Sequence, residues 1–515
     1  MLPALARVII IPTLILALST LGVVEAAIGP VTNLEIVNKV IAPDGFKRSA
    51  VLAGGIFPGP VIRGTKGDRF KINVINKLTD PTMLLSTSLH WHGIHQKGTN
   101  WADGPSFVTQ CPITTNHSFL YDFSVAHQAG TYWYHSHLST QYCDGLRGAM
   151  IVYDPEDPHN DLYDIDDEST IITLADWYHV PSQSSGAMRV LATLINGRGR
   201  YDGGDKIPLS VIHVERGKRY RFRVIGMSCD PNFTFSIDGH TMTVIEADGE
   251  NTVPHEVDSV QIHAGQRYSV VMNANQPVGN YWVRANPSIG QGFDGGRNSA
   301  ILRYAGAPVA EPAPVPVPPP RKPLREVDLH ALTDPAAPGL PYPGGADIVL
   351  NLVTGFSDGK FTMNGYPFIP PSVPALLQII SGAKSTQELM PKGSYYELPR
   401  GKVVEVSLPG TAIGGPHPFH LHGHSFSVVR SAGNDTYNFV NPVRRDTFDA
   451  GLGGSNATIR FVTDNAGPWF LHCHIDRHLE LGLAVVFAED IPNTVKENPV
   501  PEAWEKLCPL YNAQT

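Results

Sequence analysis

Four histidine pairs of the form His-x-His recur along the chain, and each pair could supply two metal ligands. In an extended strand, residues i and i+2 point to the same face, so both imidazoles of a pair can reach one site. Eight imidazoles at one interface suit copper, zinc, iron or nickel and imply several ions close together. A hydrolytic zinc cluster would also recruit carboxylates, and these motifs carry few. The pairs are His90 and His92, His135 and His137, His420 and His422, and His472 and His474.

The fourth pair differs from the others because Cys473 lies between its two histidines, in the stretch FLHCHIDRHLELGLAVVF. In a strand the thiol would face away from both imidazoles, so this segment could serve two adjacent metal sites. With His417 and His478, Cys473 forms a His₂Cys set, the ligand set of a blue-copper electron-transfer site. An axial methionine often follows the second histidine, but the residue five positions after His478 is Leu483, which cannot coordinate. We therefore expect copper, with electrons passing through the cysteine to a neighbouring cluster.

The N-terminus has the pattern of a secretory signal peptide. Arg7 precedes an apolar run from residue 8 to residue 24, and Ala26 provides a small residue at the cleavage point. The run is interrupted by Pro12 and by polar residues, which puts it at the low edge of the length that spans a membrane. We favour cleavage over a membrane anchor, and expect a secreted, extracellular chain that starts at Ala27.

Secretion gives the five cysteines a meaning, because four of them would pair in an oxidising compartment. Cys473 is the natural odd one, since its neighbours are metal-ligand types. The other four, which allow three pairings, are Cys111, Cys143, Cys229 and Cys508. Four glycosylation sequons fit a secreted glycoprotein. They begin at Asn116, Asn232, Asn434 and Asn456.

Net charge and hydropathy each argue against one class of partner. The net charge is −9 and no basic block stands out, so nucleic acid is not an expected partner. Beyond the N-terminus no stretch is long and apolar enough to span a bilayer, so no membrane partner is expected.

Alternating apolar and polar residues, with frequent Gly and Pro between them, indicate many half-buried strands. Examples are RFKINVI at 69–75, RYRFRVI at 219–225 and ATIRFVT at 457–463, and no long stretch has helical periodicity. We expect an all-β protein made of β-sandwiches, with short helices in the connections. The Pro-rich stretch at 311–324 and the turn-rich stretch at 153–161 mark boundaries. The predicted organisation is a signal peptide at 1–26 and domains at 27–157, 158–325 and 326–515.

Four longer motifs resemble the copper-binding signatures of multicopper oxidases, and more closely those of basidiomycete-type fungal laccases. They are HWHGIHQKGTNWADGP, YWYHSHLSTQYCDGLRG, HPFHLHGHSF and HCHIDRHLELGLAVVF, and the likeness extends to SCDPNFTFSIDGH and AWEKLCPLY. The resemblance implies three cupredoxin-like Greek-key β-sandwich domains and four copper ions. One type 1 copper would lie in the third domain. One type 2 and two type 3 coppers would form a cluster between the first and third domains.

The resemblance also implies which residue binds which ion. Type 1 copper would be held by His417, Cys473 and His478, and type 2 copper by His90 and His420. The type 3 pair would be held by two sets, His92, His135 and His474 for one ion and His137, His422 and His472 for the other. The implied disulfides are Cys111–Cys508 and Cys143–Cys229.

Two carboxylates gain a role from the same resemblance. Asp103, in NWADGP, matches a residue associated with the proton supply of the cluster, although a turn role before glycine would also explain it. Asp230, in SCDPNF, matches a position that lines the phenol pocket, although by itself it would suggest a turn or helix cap. His95 and His424 lie beside the motifs, and we expect them to support the ligands or the structure.

The implied function is that of a secreted laccase, a monomer whose partners are small phenolic and aromatic substrates and O₂. It would oxidise phenols such as hydroquinones and lignin-related phenols one electron at a time and reduce dioxygen to water. A ferroxidase or an ascorbate oxidase is the alternative within the same family, and a ferroxidase should place extra carboxylates near His478. A copper-storage protein without turnover would need no His₂Cys set, so His417, Cys473 and His478 argue against it.

Overall fold

The computed structural model describes residues 27–184, 189–290, 292–316 and 319–514. The expected signal peptide at 1–26 therefore lies outside the described residues. Within the described ranges, none of the helices has the length and apolar character needed to cross a membrane. Strands dominate, as the sequence predicts, and the longest of the described α-helices has 8 residues.

The first of three β-sandwich units is built from two four-stranded sheets, with strand orders β2-β1-β4-β6 and β3-β8-β7-β5. Its strands are β1 (Val31–Ile41), β2 (Arg48–Ala53), β3 (Gly59–Thr65), β4 (Arg69–Lys77), β5 (Leu89–His92), β6 (Ser118–Ser124), β7 (Gly130–Ser136) and β8 (Arg147–Tyr153).

The second unit has a six-stranded sheet, β10-β9-β12-β17-β14-β15, and a five-stranded sheet, β11-β19-β18-β13-β16. Its strands are β9 (Ile171–Trp177), β10 (Ala192–Ile195), β11 (Val211–Val214), β12 (Arg219–Gly226), β13 (Phe233–Ile237), β14 (Met242–Ala247), β15 (Glu250–Val257), β16 (Val260–Ile262), β17 (Arg267–Asn273), β18 (Asn280–Pro287) and β19 (Ser299–Tyr304).

The third unit has two five-stranded sheets, β20-β24-β29-β26-β27 and β23-β31-β30-β25-β28, and the hairpin β21-β22. Its strands are β20 (Ile348–Asn351), β21 (Thr354–Ser357), β22 (Lys360–Met363), β23 (Tyr395–Leu398), β24 (Val403–Pro409), β25 (Pro418–Leu421), β26 (Phe426–Arg430), β27 (Arg444–Arg445), β28 (Thr447–Asp449), β29 (Asn456–Val462), β30 (Gly467–Cys473) and β31 (Ala484–Glu489). The α-helices are α1 (Ala375–Ile380), α2 (Asp476–Glu480), α3 (Ile491–Glu497), α4 (Glu502–Glu505) and α5 (Leu507–Gln514). Short 3₁₀ helices, all but one of them before the third unit, span Asn100–Ala102, Gln141–Asp144, Asn160–Leu162, Glu168–Thr170 and Glu326–Asp328.

Strand β4 shows the alternation that the sequence predicts. Phe70, Ile72 and Val74 are fully buried, and the residues between them are more exposed. Because successive side chains of a strand point to opposite faces, one face of β4 joins the core of the first unit and the other faces solvent.

Strand β12 departs from the half-buried pattern, and the prediction for this stretch is wrong. Arg221 and Arg223 are each only 2% exposed although they lie on the polar face. Arg221 bonds to Glu246, and Arg223 donates to Thr131 Oγ1 of β7 at 2.9 Å. The polar face is buried because the second unit packs against the first, and the arginines are tolerated there because they are paired.

The C-terminal tail packs against the first unit. Trp504 and Leu507 join the hydrophobic core of that unit, and Trp504 Nε1 donates to Thr109 O at 2.9 Å. The tail is also held covalently by the Cys111–Cys508 disulfide, which spans a sequence separation of 397. A second disulfide, Cys143–Cys229, joins the first unit to the second. These are the pairs that the resemblance implies, and Cys473 is free and buried.

The four sequons differ in accessibility. Asn116 is exposed, and Asn434 and Asn456 are half-buried. Asn232 is only 8% exposed, and its Oδ1 accepts a hydrogen bond from Gln261 Nε2 at 3.2 Å. Asn116 therefore offers the most accessible site for a glycan and Asn232 the least accessible.

The Cys111–Cys508 bond should stabilise the whole chain, because it closes a very long loop. The chain-entropy model gives about 6 kcal/mol for a loop of this length. We expect the double variant Cys111→Ser/Cys508→Ser to unfold at a markedly lower denaturant concentration than the parent. Mass mapping of non-reduced peptides should find Cys143–Cys229 intact in both proteins. A Cys111–Cys143 linkage in the parent would contradict the assignment.

Candidate metal centres

The eight histidines of the His-x-His motifs lie in two pairs of neighbouring strands or, for His137, His422 and His474, one residue beyond the end of a strand. In the first unit β5 pairs with β7, which places His90 opposite His135. In the third unit β25 pairs with β30, which places His420 opposite His472. All eight imidazoles are buried, and none of these residues is more than 7% exposed. The strand ladders therefore fix four rings in each unit.

The rings of the two units meet nitrogen to nitrogen. His90 Nε2 lies 3.4 Å from His420 Nε2, and His92 Nδ1 lies 3.2 Å from His474 Nε2. Both contacts join residues more than 300 positions apart, so the sequence motifs come together only through tertiary packing.

A second group of rings lies beside the first. His472 Nε2 is 3.4 Å from His137 Nε2 and 3.1 Å from His422 Nε2. His135 Nε2 is buried and has no hydrogen-bond partner among the described residues. A buried imidazole nitrogen without a partner is costly. A bound cation would remove that cost.

Burial keeps most of these imidazoles neutral. It is the largest cause that lowers their pKa values well below the usual range, and repulsion among neighbouring rings adds to it. A neutral ring offers the lone pair that a metal ion requires. The affected residues are His92, His135, His137, His422, His472 and His474.

Backbone carbonyl groups orient several of the rings. Each of these carbonyls accepts a hydrogen bond from Nδ1, which fixes the tautomer and turns the Nε2 lone pair toward the other unit. The pairs are His90 with Asp103 O at 2.8 Å, His135 with Ser136 O at 2.9 Å, His420 with Asp446 O at 2.9 Å, and His472 with Cys473 O at 3.0 Å.

Asp103 lies against the cluster, where the sequence places a functional carboxylate. Its side chain is 0% exposed, and Oδ2 accepts a hydrogen bond from His422 Nδ1 at 2.8 Å. Its Oδ1 lies 3.2 Å from His90 Nδ1. Asp103 therefore contacts one histidine from each unit and can hold both rings.

Asp446 is a second carboxylate at the cluster, and it was missed in the sequence. Its Oδ1 lies 3.2 Å from His92 Nε2 and 3.4 Å from His420 Nδ1. The two carboxylate oxygens accept hydrogen bonds from Arg267 Nη1 and Nη2, both at 2.7 Å. This arginine holds the pKa of the buried carboxyl well below its usual range. No local pattern marked Asp446, because its partners lie far away in the chain.

The middle unit reaches the cluster through Arg267 and Gly265. Arg267 Nε also donates to Thr131 O of the first unit at 3.0 Å, so this one side chain contacts all three units. Gly265 has φ +86, and a Cβ there would lie 2.9 Å from the ring of His474 and 3.0 Å from that of His92. A side chain at this position would displace the rings.

A separate set of donors is formed by His417, Cys473 and His478. Cys473 Sγ lies 3.5 Å from His417 Nδ1 and 3.7 Å from His478 Nδ1, and the two nitrogens are 3.1 Å apart. His417 Nε2 donates to Ile413 O at 2.9 Å, which leaves the Nδ1 lone pair free. His478 lies on α2 and is half-buried, so this side of the set approaches solvent.

The spacing of this set fits a metal ion. Bonds of roughly 2.0–2.3 Å to imidazole and thiolate place the donors of a trigonal site about 3.5–4 Å apart. The two sulfur–nitrogen distances match this spacing, and the two nitrogens, at 3.1 Å, are closer than it requires. Burial raises the pKa of the Cys473 thiol, so a thiolate here requires a cation beside it. A His₂Cys set with this geometry is typical of copper.

Leu483 is tied to two of these donors through its backbone. It is 0% exposed and packs in the same core as Cys473. Its backbone O accepts from Cys473 N at 3.0 Å, and its backbone N donates to His478 O at 2.9 Å. Leu483 thus fixes two of the donors through its backbone and offers them no ligand atom.

Cys473 connects the two groups of donors. Its chain neighbours His472 and His474 both lie in the histidine cluster, while its own side chain faces His417 and His478. The shortest covalent path between the two centres is therefore one residue long, as the sequence pattern predicts.

Asp230 lies next to the Cys143–Cys229 disulfide and is half-buried. Burial, followed by repulsion from Asp176, raises its pKa to about 6. The preceding carbonyl, Cys229 O, accepts from Asp476 N at 2.9 Å, which ties this segment to the start of α2. The helix that carries His478 and the segment that carries Asp230 are therefore fixed to each other.

The two remaining histidines near the motifs have other partners. His95 Nε2 contacts Ser425 Oγ at 3.0 Å, and His424 Nε2 contacts Glu489 Oε2 at 2.9 Å. Neither belongs to a group of metal-ligand atoms that converge in the described part of the chain.

Three family models described as "Multicopper oxidase" match this chain. They cover residues 35–157, 168–307 and 368–493.

Curated relatives match over nearly the full length. A laccase of Trametes hirsuta is 59% identical over 502 residues, which is 96% of each chain. Laccase-2 of Pleurotus ostreatus is 59% identical over 520 residues, covering 98% of this chain and 97% of that one. A laccase of Pycnoporus cinnabarinus is 60% identical over 500 residues, 96% of each.

Solved structures show the same fold. The laccase of Botrytis aclada superposes with a TM-score of 0.81 at 31% identity, covering 95% of this chain and 93% of that one. Fet3p, a multicopper oxidase that functions in iron import, has a TM-score of 0.82 at 26% identity, covering 94% and 95%.

The contact between Asp103 and His422 should be needed to keep metal in the histidine cluster. Asp103→Asn replaces a charged acceptor by an amide of the same shape, and loss of such an outer partner typically lowers metal affinity by about 10–100-fold. We expect the variant to lose metal from the cluster on dialysis against a chelator, and to keep the ion of the His417, Cys473 and His478 set. Metal analysis before and after dialysis measures both. Unchanged retention at the cluster would show that Asp103 does not support its ligands.

Proposed function

This chain belongs to the multicopper oxidase family and has the activity of a laccase, and we propose that its two groups of donors divide that activity between them. His417, Cys473 and His478 would hold a type 1 copper that takes electrons from phenols. The eight histidines of the cluster would hold the ions that reduce O₂. The observation that carries this proposal is the position of Cys473, whose side chain belongs to one group while both its chain neighbours belong to the other.

We take the ligand sets within the cluster from the family resemblance, and contacts between the units support them. We assign a type 2 copper to His90 and His420, whose Nε2 atoms face each other at 3.4 Å. The type 3 ions would be held by two sets, each with ligands from both units. One consists of His92, His135 and His474 and the other of His137, His422 and His472. When bound, copper accepts single electrons at the type 1 site and supplies them at the cluster to O₂, which is reduced to water.

The stoichiometry requires protons as well as electrons. Four phenols each lose one electron and one proton, and one O₂ takes up four of each to form two waters. At the cluster, Asp103 and Asp446 are the buried carboxylates that contact the ligand rings. Asp103 is placed to hold or transfer a proton beside His422 and His90.

Asp230 would act on the substrate. A phenol that loses an electron becomes a far stronger acid, so its proton must leave at nearly the same time. A carboxylate with a pKa of about 6 can accept that proton from a bound phenol and orient its oxygen toward the half-buried His478. The backbone link between Cys229 and α2 keeps Asp230 and His478 in a fixed relation.

The organisation of the chain belongs to the same proposal. We assign a cleaved signal peptide to residues 1–26 and three domains to 27–157, 158–325 and 326–515. The protein would be secreted and monomeric, and it would bind neither nucleic acid nor membranes. The support is the apolar N-terminus, the net charge of −9 and the sheets, each of which draws its strands from one unit. Oxygen uptake with a simple phenol, compared with ferrous iron, tests the activity and separates it from that of a ferroxidase.

The Cys473 thiolate should give the protein its colour and its phenol activity. Cys473→Ser removes the sulfur ligand, so absorption in the red and phenol-dependent oxygen uptake should both be lost. The histidine cluster makes no use of the sulfur, so the variant should retain the copper of the cluster and lose only the type 1 ion. Visible absorption and copper analysis measure the two effects. A variant that stays blue would show that another residue binds the type 1 ion.

Asp230→Asn should impair phenol oxidation in a pH-dependent way. Below about pH 6 the Asp230 carboxyl is protonated in the parent and cannot accept a proton, so parent and variant should differ little. Above that pH the parent carboxylate is available, and kcat/KM for phenols should exceed that of the variant by about 10²-fold, the lower end for a positioned acid–base group. Ferrocyanide, which gives up an electron without a proton, is the control. Equal losses for both donors would point to damage at the type 1 site.

A further inference from the structure

A buried carboxylate, Asp176, lies directly behind Asp230. It is on β9 of the second unit and is 0% exposed. A charged group buried at this depth costs free energy unless its oxygens are fully bonded. Its partners therefore show what the charge is used for.

The Asp176 carboxylate accepts hydrogen bonds from four donors. Oδ1 accepts from Cys229 N at 2.9 Å and from Arg147 Nη1 at 3.3 Å. Oδ2 accepts from Tyr178 Oη at 2.6 Å and from Asp230 N at 3.2 Å. Four bonds fill the lone-pair positions of a carboxylate.

Two of the four donors are consecutive backbone N–H groups of the segment that carries Asp230. Cys229 and Asp230 lie between β12 and β13, outside any helix or strand. Buried backbone N–H groups need a partner, and here Asp176 provides it in place of a strand ladder. The direction of the Asp230 side chain therefore depends on Asp176.

Asp176 is in turn anchored to the first unit. Arg147 of β8 donates from Nη2 to Asp176 O at 2.8 Å and from Nη1 to Met227 O. The segment that carries Asp230 is also bonded to the third unit, because Cys229 O accepts a hydrogen bond from Asp476 N of α2. The segment with Asp230 is thus held between a carboxylate fixed to the first unit and the helix that carries His478.

We propose that Asp176 is a positioning residue for phenol oxidation, which holds the Cys229–Asp230 backbone so that Asp230 faces a phenol bound beside His478. This inference rests on the role proposed above for Asp230. It adds that the substrate carboxylate is placed by a second, buried carboxylate, and that the charge of this second group acts on the first.

The negative charge of Asp176 shifts the pKa of Asp230 in one direction. Burial is the larger cause that raises the pKa of Asp230, and the negative charge of Asp176 raises it further. Tyr178 and Arg147, which bond to Asp176, partly neutralise that charge. The other titratable groups nearby are Cys473, which lies in the field of Asp230, and Asp476 and Glu480 of α2. Removing the charge of Asp176 should lower the pKa of Asp230.

The test is Asp176→Asn, with kcat/KM measured against pH for a phenol and for ferrocyanide. For the phenol, the rising limb of the plot of kcat/KM against pH should move to lower pH, by roughly one pH unit for the loss of one nearby like charge. The plateau should fall several-fold, because the amide cannot accept from both backbone N–H groups. Ferrocyanide oxidation and the red absorption should stay as in the parent. A purely structural role would reduce both donors alike and leave the limb in place, which would overturn the proposal.

Two further variants isolate the effect. In an Asp230→Asn background, Asp176→Asn should cause no additional loss for phenols, because it acts through Asp230. Asp144→Asn is the matched control, since Asp144 is buried at the same boundary, 2% exposed, but bonds to Arg48 and Ser182 instead. It should leave the rising limb where the parent has it. An additive loss in the double variant, or an equal shift in the control, would overturn the proposal.

Tyr178→Phe keeps the test decisive if Asp176→Asn does not fold. It removes a hydroxyl that donates to Asp176, so the carboxylate exerts a stronger charge and the rising limb should move to higher pH. A limb that does not move, or moves down, would overturn the proposal. If Asp230→Asn alone leaves phenol oxidation unchanged, the role of Asp230 fails and this inference fails with it. If Asp230→Asn impairs phenol oxidation but the rising limb does not move in the Asp176→Asn and Tyr178→Phe variants, this inference fails and the role of Asp230 stands.

Discussion

Eight imidazoles lie close together in a buried interface between two β-sandwich units, and the rest of the structure depends on holding them in place. Each unit supplies four rings, and three of the short nitrogen–nitrogen contacts join a ring of one unit to a ring of the other. Nitrogen atoms 3.1–3.4 Å apart tolerate little movement, because a metal ion between them fixes each bond to within a few tenths of an ångström. The three units and their connections together hold this interface in place.

Buried charged residues lie at the boundaries between the three units. Arg267 contacts all three units, and its partner Asp446 touches the cluster. Arg221 and Arg223 fill the boundary between the first and second units. Such groups are expensive to bury, and a broken pair costs more than an apolar substitution would. Because each pair forms only when its two partners are aligned, these pairs specify how one unit packs against another, which apolar contacts alone would not do. Disulfides add covalent links at two places where the units or the tail could separate.

The two centres face different surroundings for a physical reason. The histidines of the cluster are all buried, so this centre lies away from bulk solvent. The set of His417, Cys473 and His478 approaches solvent through the half-buried His478, so a small molecule can come close to it without entering the core. Cys473 belongs to a strand of the same sheet as the cluster ligands, so its position is rigid. Asp230 is half-buried and belongs to a segment of the second unit that is bonded to the start of α2, the helix that carries His478.

Local sequence patterns predicted the metal-binding residues, copper as their metal and most of the fold. His-x-His pairs, the cysteine between His472 and His474, and alternating strands are local patterns, and residue types within a few positions carry them. The roles of Asp103 and Asp230 were predicted only through the resemblance of longer motifs to a known family, since by itself each residue would be explained by a turn or a cap. The assignment of copper follows from donor chemistry that does not require knowledge of the fold.

Tertiary structure alone decided which charges surround those ligands. Arg267 and Asp176 lie in strands and Asp446 lies between β27 and β28, and nothing nearby in the chain distinguishes these residues from solvent-facing ones. Arg267 lies 179 positions from Asp446, and Arg147 lies 29 from Asp176. The same holds for the polar face of β12, which the sequence assigned to solvent and which the packing of the units buried. A local pattern records how a strand alternates, but whether its polar face meets water or another unit depends on contacts between distant segments.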